Sequence, residues 1–462
     1  MAIPVTILCG GLGAGKTTLL SRLLESEGES ERGNESESRD VAVLVNDVGE
    51  VNVDADLVAA RTDLAGDELV ALENGCICCS LGGELSRSVI RLWQEYDFDA
   101  LVVEASGVGE PEPIARQFVR GPAGGPYDLD AVVTVVDARQ FTDTFVDGRA
   151  GVPEPQGPDE TGSRPLADLW LEQIEFCDLL VVNKCDLVSD DERERVVTLL
   201  ETLQPRAEIV ATEYGALEAD RVLETGLFDL AAARESAGWK RAIEGAADDG
   251  SDGFDDSHER EHEHEHEYEH QVSPPDDHDH THDHSHDHAH PPERYGIETE
   301  TYHRVRPFHP ARFTALLEDL PDGLVRAKGL CWIAGRERQA LTMSFAGSET
   351  TLEVTGRWVA SFSEERQETY RQGQPDLRWD EEWGDRESRL AIIGRNLSMD
   401  ALTARLDDCL LTDEEMGDDW STYENPTPTA MGQMETVTVM ETAAATNSSS
   451  SSSSKSEIGR EN

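Results

Sequence analysis

Val5-Thr6-Ile7-Leu8-Cys9-Gly10-Gly11-Leu12-Gly13-Ala14-Gly15-Lys16-Thr17-Thr18-Leu19-Leu20 is the stretch on which the reading of the whole chain turns. An apolar strand runs into a complete GxxxxGK[ST] loop, and an apolar helical pattern follows. Glycines at 10, 11, 13 and 15, with the small Ala14, let successive backbone N–H groups curl around phosphate oxygens. The helix that begins behind them favours negative charge at its N-terminus. In such a loop Lys16 reaches the β- and γ-phosphates and the Thr17 hydroxyl ligates Mg²⁺, with Thr18 next in line on the helix. The stretch predicts a nucleotide-binding α/β domain.

Working outward, residues 1–245 alternate short apolar runs with helical patterns. Strands are expected at Val5–Cys9, Val41–Asn46, Leu69–Glu73, Ala100–Ala105, Ala131–Asp137, Leu179–Asn183 and Glu208–Thr212. A helix is expected at Glu84–Glu95, where Leu85, Val89 and Leu92 share one face. Near-continuous apolar strands separated by helices specify a mostly parallel sheet covered on both faces, a P-loop NTPase fold. Gly148–Pro165, rich in Pro, Gly and acids, reads as a surface insertion.

Asn183-Lys184-Cys185-Asp186 closes a late apolar strand. An Asp there accepts from the N1–H and 2-amino groups of guanine, and adenine would leave that acceptor unpaired at a cost of about 1–3 kcal/mol. GTP is therefore expected over ATP. Glu104, ahead of Ala105-Ser106-Gly107, occupies the strand end where a carboxylate holds the Mg²⁺ shell and a glycine approaches the γ-phosphate. Lys16 and Glu104 are the candidate catalytic residues. No glutamine stands out to position water, so slow intrinsic hydrolysis is expected.

Between the third strand and the Glu84 helix lies Glu73-Asn74-Gly75-Cys76-Ile77-Cys78-Cys79. Three thiols in four residues can converge on one soft cation, and thiolates select Zn²⁺ or Cu(I) over Mg²⁺. Three ligands suit a site that loads and unloads; Glu50, water or a neighbouring subunit of a homo-oligomer would complete the shell. Small buried apolar residues and a peroxide-sensing thiol cluster are the competing readings of the same segment.

The 462 residues carry 95 Asp plus Glu against 39 Lys plus Arg, a net charge of −56. That balance argues against nucleic acid and anionic membrane as partners. With five lysines in the chain, it predicts adaptation to a salt-rich cytosol, where ions screen the repulsion. The opening Met1–Gly11 has no basic region before its apolar run, so no signal peptide is expected and the protein is expected to be cytoplasmic. Uneven cysteine spacing reads as reduced thiols.

Residues 246–294 change character. Twelve of the 14 histidines fall between His258 and His290, interleaved with Asp and Glu, and this acidic His-rich stretch is expected to be a disordered linker. Its imidazoles, at His258, His262, His264, His266, His278, His280, His282, His284, His286, His288 and His290 among others, would bind Zn²⁺, Ni²⁺ or Co²⁺ weakly and raise the local metal concentration. His303 and His309 read as structural. Residues 295–415 suggest a smaller α+β domain, with strands near Glu300–Arg306, Leu324–Ala334, Ala340–Phe345 and Arg389–Gly394 and helices near Pro310–Glu318 and Asp400–Leu410. Residues 416–462 end in a serine run and are expected to be a disordered tail.

In order along the chain, the loop Gly10–Leu20, Val45-Asn46-Asp47-Val48-Gly49-Glu50-Val51, Glu73–Cys79, Val102–Ile114 and Asn183–Asp186 resemble the CobW-like GTPases. The second domain resembles that family's C-terminal domain at Arg306-Pro307-Phe308-His309-Pro310, Arg326-Ala327-Lys328-Gly329, Trp383-Gly384-Asp385-Arg386 and Ile392-Ile393-Gly394. The resemblance implies a GTP-dependent metallochaperone delivering metal, zinc first, to a client metalloprotein, with Cys76, Cys78 and Cys79 as its metal motif and Glu50 as a candidate ligand of Mg²⁺ or cargo. Glu104 fits the family. Asp47-Val48 departs from it, since relatives carry Glu-Phe there. Two other readings share these motifs: a GTPase supporting cobalt insertion in cobalamin synthesis, and a His-rich metal buffer or sensor.

Overall fold

Runs of branched apolar residues, each closed by a polar residue or glycine, build the first sheet of the computed structural model, which describes residues 2–30, 39–45, 69–71, 84–147, 164–229, 295–374 and 377–439. In chain order these elements are β1 (Ile3–Gly10), α1 (Lys16–Ser30), β2 (Val41–Val45), β3 (Leu69–Ala71), α2 (Glu84–Glu95), β4 (Ala100–Glu104) and α3 (Pro111–Val119). They continue with β5 (Tyr127–Asp137), the short α4 (Ala138–Phe141), α5 (Leu166–Phe176), β6 (Leu179–Asn183), α6 (Asp190–Leu203) and β7 (Glu208–Ala211). The seven strands lie in the order β3-β2-β4-β1-β5-β6-β7, and every pairing is parallel. All strand ends that precede a functional loop therefore emerge at one edge, the position where open parallel sheets bind ligands.

The apolar stripe expected on α2 is buried as read, at Leu85, Val89 and Leu92. It packs on one sheet face together with Ile114 and Phe118 of α3, Leu171 and Ile174 of α5 and Leu199 of α6. Leu19, Leu20 and Leu23 of α1, with Val222 and Leu223, cover the other face. The start of α6 is fixed by a reciprocal cap, in which Ser189 and Glu192 each bond the other's backbone N–H.

The second domain contains β8 (Ile297–Arg304), α7 (Pro310–Leu317), β9 (Leu324–Cys331), β10 (Gln339–Ala346), β11 (Glu349–Arg357), α8 (Glu364–Gly373), β12 (Ser388–Arg395), α9 (Met399–Asp407) and β13 (Met434–Thr438). Its six strands form one antiparallel sheet in the order β13-β11-β10-β9-β12-β8. Phe313 and Leu317 of α7 and Leu402 and Leu406 of α9 fill one face of it. From the other side Val325, Ala346 and Ile393 join the core of the first domain, so the two domains share apolar packing.

Three differences from the sequence reading stand out. Strand β11 was not anticipated; Gly347 at φ +65° lets the chain reverse between Ala346 and Glu349, and the two strands pair from that point. Helix α8 was not anticipated either, because it buries no side chain and so has no apolar stripe to read. The tail expected to be disordered from residue 416 is folded to 439. Strand β13 completes the open edge of β11, Arg336 bonds the carbonyls of Asn425, Thr427 and Pro428, and Trp420 packs edge-on against Trp332. The serine run weighed against this strand in the sequence, although Thr436-Val437-Thr438-Val439 alternates polar and apolar residues as a strand does. The linker at 246–294, most of Gly148–Pro165 and residues 440–462 lie outside the described residues. No described helix is long and apolar enough to cross a membrane.

Candidate nucleotide site

Strand β1 ends between β4 and β5, with Leu8 level with Glu104 and Gly10 level with Val135. The phosphate loop leaves the sheet there and turns straight into α1, with the Leu19 N–H bonded to the Gly15 carbonyl at 2.9 Å. Gly15 has φ +106°, and a Cβ on it would come within 2.4 Å of Asn183 Nδ2. Only glycine permits both that backbone and that approach. Gly13 and Leu12 form the exposed crown of the loop, Ala14 is buried beneath it, and Thr17 and Thr18 are half-buried on the first turn of α1.

The Lys16 side chain is buried and curls back under the loop, donating to the carbonyls of Gly10 at 2.8 Å and Gly11 at 3.2 Å. These two carbonyls are partners that the ammonium can exchange for phosphate oxygens. Glu104, 2% exposed, ends β4 level with Val45 of β2. The Thr17 hydroxyl donates to its Oε1 at 3.3 Å. A hydroxyl and a carboxylate side by side at a strand end are hard oxygen donors, the set that suits Mg²⁺ bridging to substrate phosphates. Gly107 follows and lies against the Leu12 backbone, so the loop after Glu104 touches the phosphate loop directly.

Asn183 is buried and ties three segments together. Its Nδ2 donates to the Ala14 carbonyl at 2.9 Å, and its Oδ1 accepts from the Gly215 N–H at 2.9 Å. Lys184 adopts a left-handed backbone, φ 59°, and its Nζ bonds Asp137 Oδ2 at 2.7 Å. Asp137 in turn caps α4 by accepting from the N–H groups of Arg139 and Gln140. That left-handed turn leads into the short turn Cys185–Leu187, and Asp186 on it is exposed. The residues read from the sequence as one nucleotide site, Gly10–Thr18, Glu104, Gly107, Asn183, Lys184 and Asp186, thus converge on one edge of the sheet.

Several partners escaped the sequence reading. Gly215 acts on Asn183 from a loop, and Asp137 acts on Lys184 from the end of β5, neither within a motif; a capping Asp at the close of an apolar run was the one available signal. Trp170 and Gln173 of α5 also reach the site. A Cβ on Gly11 would come within 2.8 Å of the Trp170 indole nitrogen, and Gln173 Nε2 donates to the Gly109 carbonyl at 2.8 Å.

Five cysteines, Cys9, Cys177, Cys185, Cys331 and Cys409, are buried and free. Burial pushes the Cys9 thiol up to about 12 despite the nearby Lys16 charge, so it stays protonated and inert. Among the described residues no group of three or more His, Cys, Asp and Glu could hold a metal ion. Cys76, Cys78, Cys79, Glu50 and the histidines of 258–290 lie outside the described residues. His303 bonds Glu387 at 2.9 Å and His309 sits at the start of α7 beside Tyr423.

Residues 4–211 match the family described as CobW/HypB/UreG, nucleotide-binding domain, and residues 297–410 match the cobalamin synthesis protein cobW C-terminal domain. A zinc-regulated GTPase metalloprotein activator of Dictyostelium discoideum is 30% identical over 449 residues, spanning 92% of this chain and 84% of that protein. The chain belongs to the CobW family of GTPases. The zinc chaperone CobW of Pseudomonas aeruginosa is 31% identical over 205 residues, 42% of this chain and 52% of that one. Among solved structures, the Zn(II)-bound YjiA GTPase from E. coli aligns over 88% of this chain and 99% of its own, with 20% identity and a TM-score of 0.34. This CobW GTPase accordingly hydrolyses GTP.

Proposed function

We propose that this GTPase is a metallochaperone: it binds a transition metal, zinc first, through Cys76, Cys78 and Cys79, and transfers it to a client metalloprotein under the control of GTP. The observation that carries the reading is the register of the sheet. Val45 of β2 pairs with Ala71 on one side and with Glu104 on the other. The last described residue of β3 is therefore in the same row as the carboxylate beside Thr17, and Cys76 follows it by five residues. At about 4.8 Å per strand spacing, Ala71 lies roughly 10 Å from Glu104. The names of the relatives, zinc-regulated activator and zinc chaperone, support zinc as cargo.

In this reading the loop N–H groups of Gly11–Thr17 and the Lys16 ammonium bind the β- and γ-phosphates, with Lys16 exchanging its carbonyl partners for phosphate oxygens. Thr17 and Glu104 would hold Mg²⁺, which would supply charge neutralisation for phosphoryl transfer. Asp186 reads guanine, and Asn183 keeps the base-reading turn in register with the phosphate loop. GTP binding and hydrolysis act on metal handling through the segment around Asn46–Glu50, which couples the nucleotide to the metal. The histidines of 258–290 supply metal to the cysteines as a local buffer.

The test is GTP hydrolysis in high KCl, chosen because of the −56 net charge, with and without stoichiometric Zn²⁺, on the wild type and on a Cys76/Cys78/Cys79→Ser chain. Zinc-dependent hydrolysis that disappears in the serine chain is the expected result. Hydrolysis indifferent to zinc in both chains, with Co²⁺ or Ni²⁺ active instead, would replace the cargo. Indifference to all three metals, with equal metal affinity in GDP and a non-hydrolysable GTP analogue, would overturn the coupling.

A further inference from the structure

Helix α5 presents one side to the nucleotide site and another to the second domain. Toward the site, Trp170 lies under Gly11 of the phosphate loop, and Gln173 holds the carbonyl of Gly109, five residues beyond Glu104. Gln173 is itself fixed through its backbone, its carbonyl accepting from the Thr134 hydroxyl of β5 at 2.9 Å. Toward the second domain, Asp168, Glu172 and Glu175 are spaced four and three residues apart, which brings three carboxylates onto one helix face.

Those carboxylates are met by cations from β9. Arg326, with no exposed surface, donates to Asp168 Oδ1 at 2.7 Å and to Glu175 at 2.7 and 3.1 Å; its remaining bonds go to the Ser344 hydroxyl and the Phe345 carbonyl of β10. Lys328 bonds Glu172 at 2.8 Å. Arg164, just before the helix, bonds Asp168 and Glu172 and reaches Glu110 at 2.7 Å, the residue next to Gly109. The same network thus grips the second domain at one end and the loop after Glu104 at the other.

We propose that α5 couples the seating of the second domain to the geometry of the phosphate loop and the loop after Glu104, with Gln173 as a positioning residue for GTP hydrolysis. The physical basis is that this contact has two discrete states. A buried guanidinium cannot give up its carboxylates by degrees, because each uncompensated charge in the interior is strongly unfavourable. The second domain is therefore seated on α5 or off it, and an 11-residue helix moves as a unit between Arg326 and Gly109. Any client that shifts the second domain biases hydrolysis through this helix. The inference rests on GTP hydrolysis alone and is independent of the metal.

The full chain is assayed for kcat and KM as a double-mutant cycle, after thermal melts confirm that each variant is folded at the assay temperature. Gln173→Met keeps the volume and removes the donor to Gly109; kcat is expected to fall about tenfold with KM for GTP unchanged. Arg326→Lys keeps the charge and removes the forked geometry; it is expected to lower kcat about threefold in the wild-type background and not at all in the Gln173→Met background. An unchanged kcat in Arg326→Lys, or the same factor lost in both backgrounds, would overturn the coupling. Should either variant fail to fold, Ser344→Ala replaces Arg326→Lys by removing one hydroxyl from the network, and Trp170→Phe replaces Gln173→Met, with the same non-additivity decisive.

Discussion

Among the described residues, two of the places where charge is buried satisfy it differently. At the nucleotide site the Lys16 ammonium rests on the carbonyls of Gly10 and Gly11, and Glu104 accepts from the Thr17 hydroxyl. Between the domains, Arg326 meets Asp168 and Glu175 directly. Neutral carbonyls and a hydroxyl are partners that a triphosphate and a cation can displace, since an ammonium or carboxylate is attracted more strongly by an opposite charge than by a neutral dipole. Opposite charges closed on each other have no such vacancy for substrate. The first arrangement is poised for binding, and the second holds two bodies together.

Burial by itself would raise the Asp168 carboxyl, but Arg326, Arg164 and Lys328 outweigh it and hold it far below the usual carboxylate range. Glu172 is likewise lowered: against the effect of burial, Lys328 and Arg164 prevail. Such a network stabilises little relative to apolar packing of the same volume, yet breaking it is severe. That asymmetry separates the two regions experimentally.

The largest effect is expected from Arg326→Met, which leaves Asp168 and Glu175 buried without their cation. It should cost about 3–5 kcal/mol in denaturant unfolding. A loss below about 1 kcal/mol would show that water or a shifted Lys328 takes over, and the contrast with the nucleotide site would weaken. Next, Lys16→Ala should lower kcat for GTP by about 10²–10³ while the melting temperature stays close to the wild type. A large drop in melting temperature would instead make Lys16 a structural partner of the loop carbonyls.

A smaller effect belongs to Asp186→Asn. Discrimination of GTP over ATP should fall by about 1–3 kcal/mol, read as the ratio of the two kcat/KM values. An unchanged ratio would move guanine reading to another residue. The smallest is a pH effect. Because the folded state lowers Asp168 and Glu172 below their ordinary values of 3.8 and 4.5, the stability they contribute is present above that range and lost as pH falls through it. The urea midpoint of the wild type should therefore decline from pH 5 to pH 3 more steeply than that of Arg326→Met. Parallel declines would locate the acid sensitivity outside the interface.

Where chemistry depends on contiguous residues, the sequence was sufficient. The loop Gly10–Thr17 and the turn Asn183–Asp186 are short, and each encodes its own backbone geometry through glycines and a strand end. The central strands β1, β2, β4 and β6 were legible because each is mainly apolar and buried on both faces. Helix α8 and strand β13 were not, because one buries nothing and the other is defined by the open edge of β11 that it covers. Likewise nothing near Gln173 announces a role at Gly109, 64 positions earlier.

By itself the sequence determined a parallel nucleotide-binding domain, the grouping of Lys16, Glu104 and Asn183 at one edge of its sheet, and an acidic chain with a distinct second domain. Tertiary structure alone decided that Asp168, Glu172 and Glu175 face Arg326 and Lys328, that Asn183 joins Ala14 to Gly215, and that α5 stands between the two domains. The physical reason is range. Loop conformation and strand burial follow from neighbours along the chain, whereas a buried ion pair forms only after the fold has brought distant carboxylate and guanidinium out of water together.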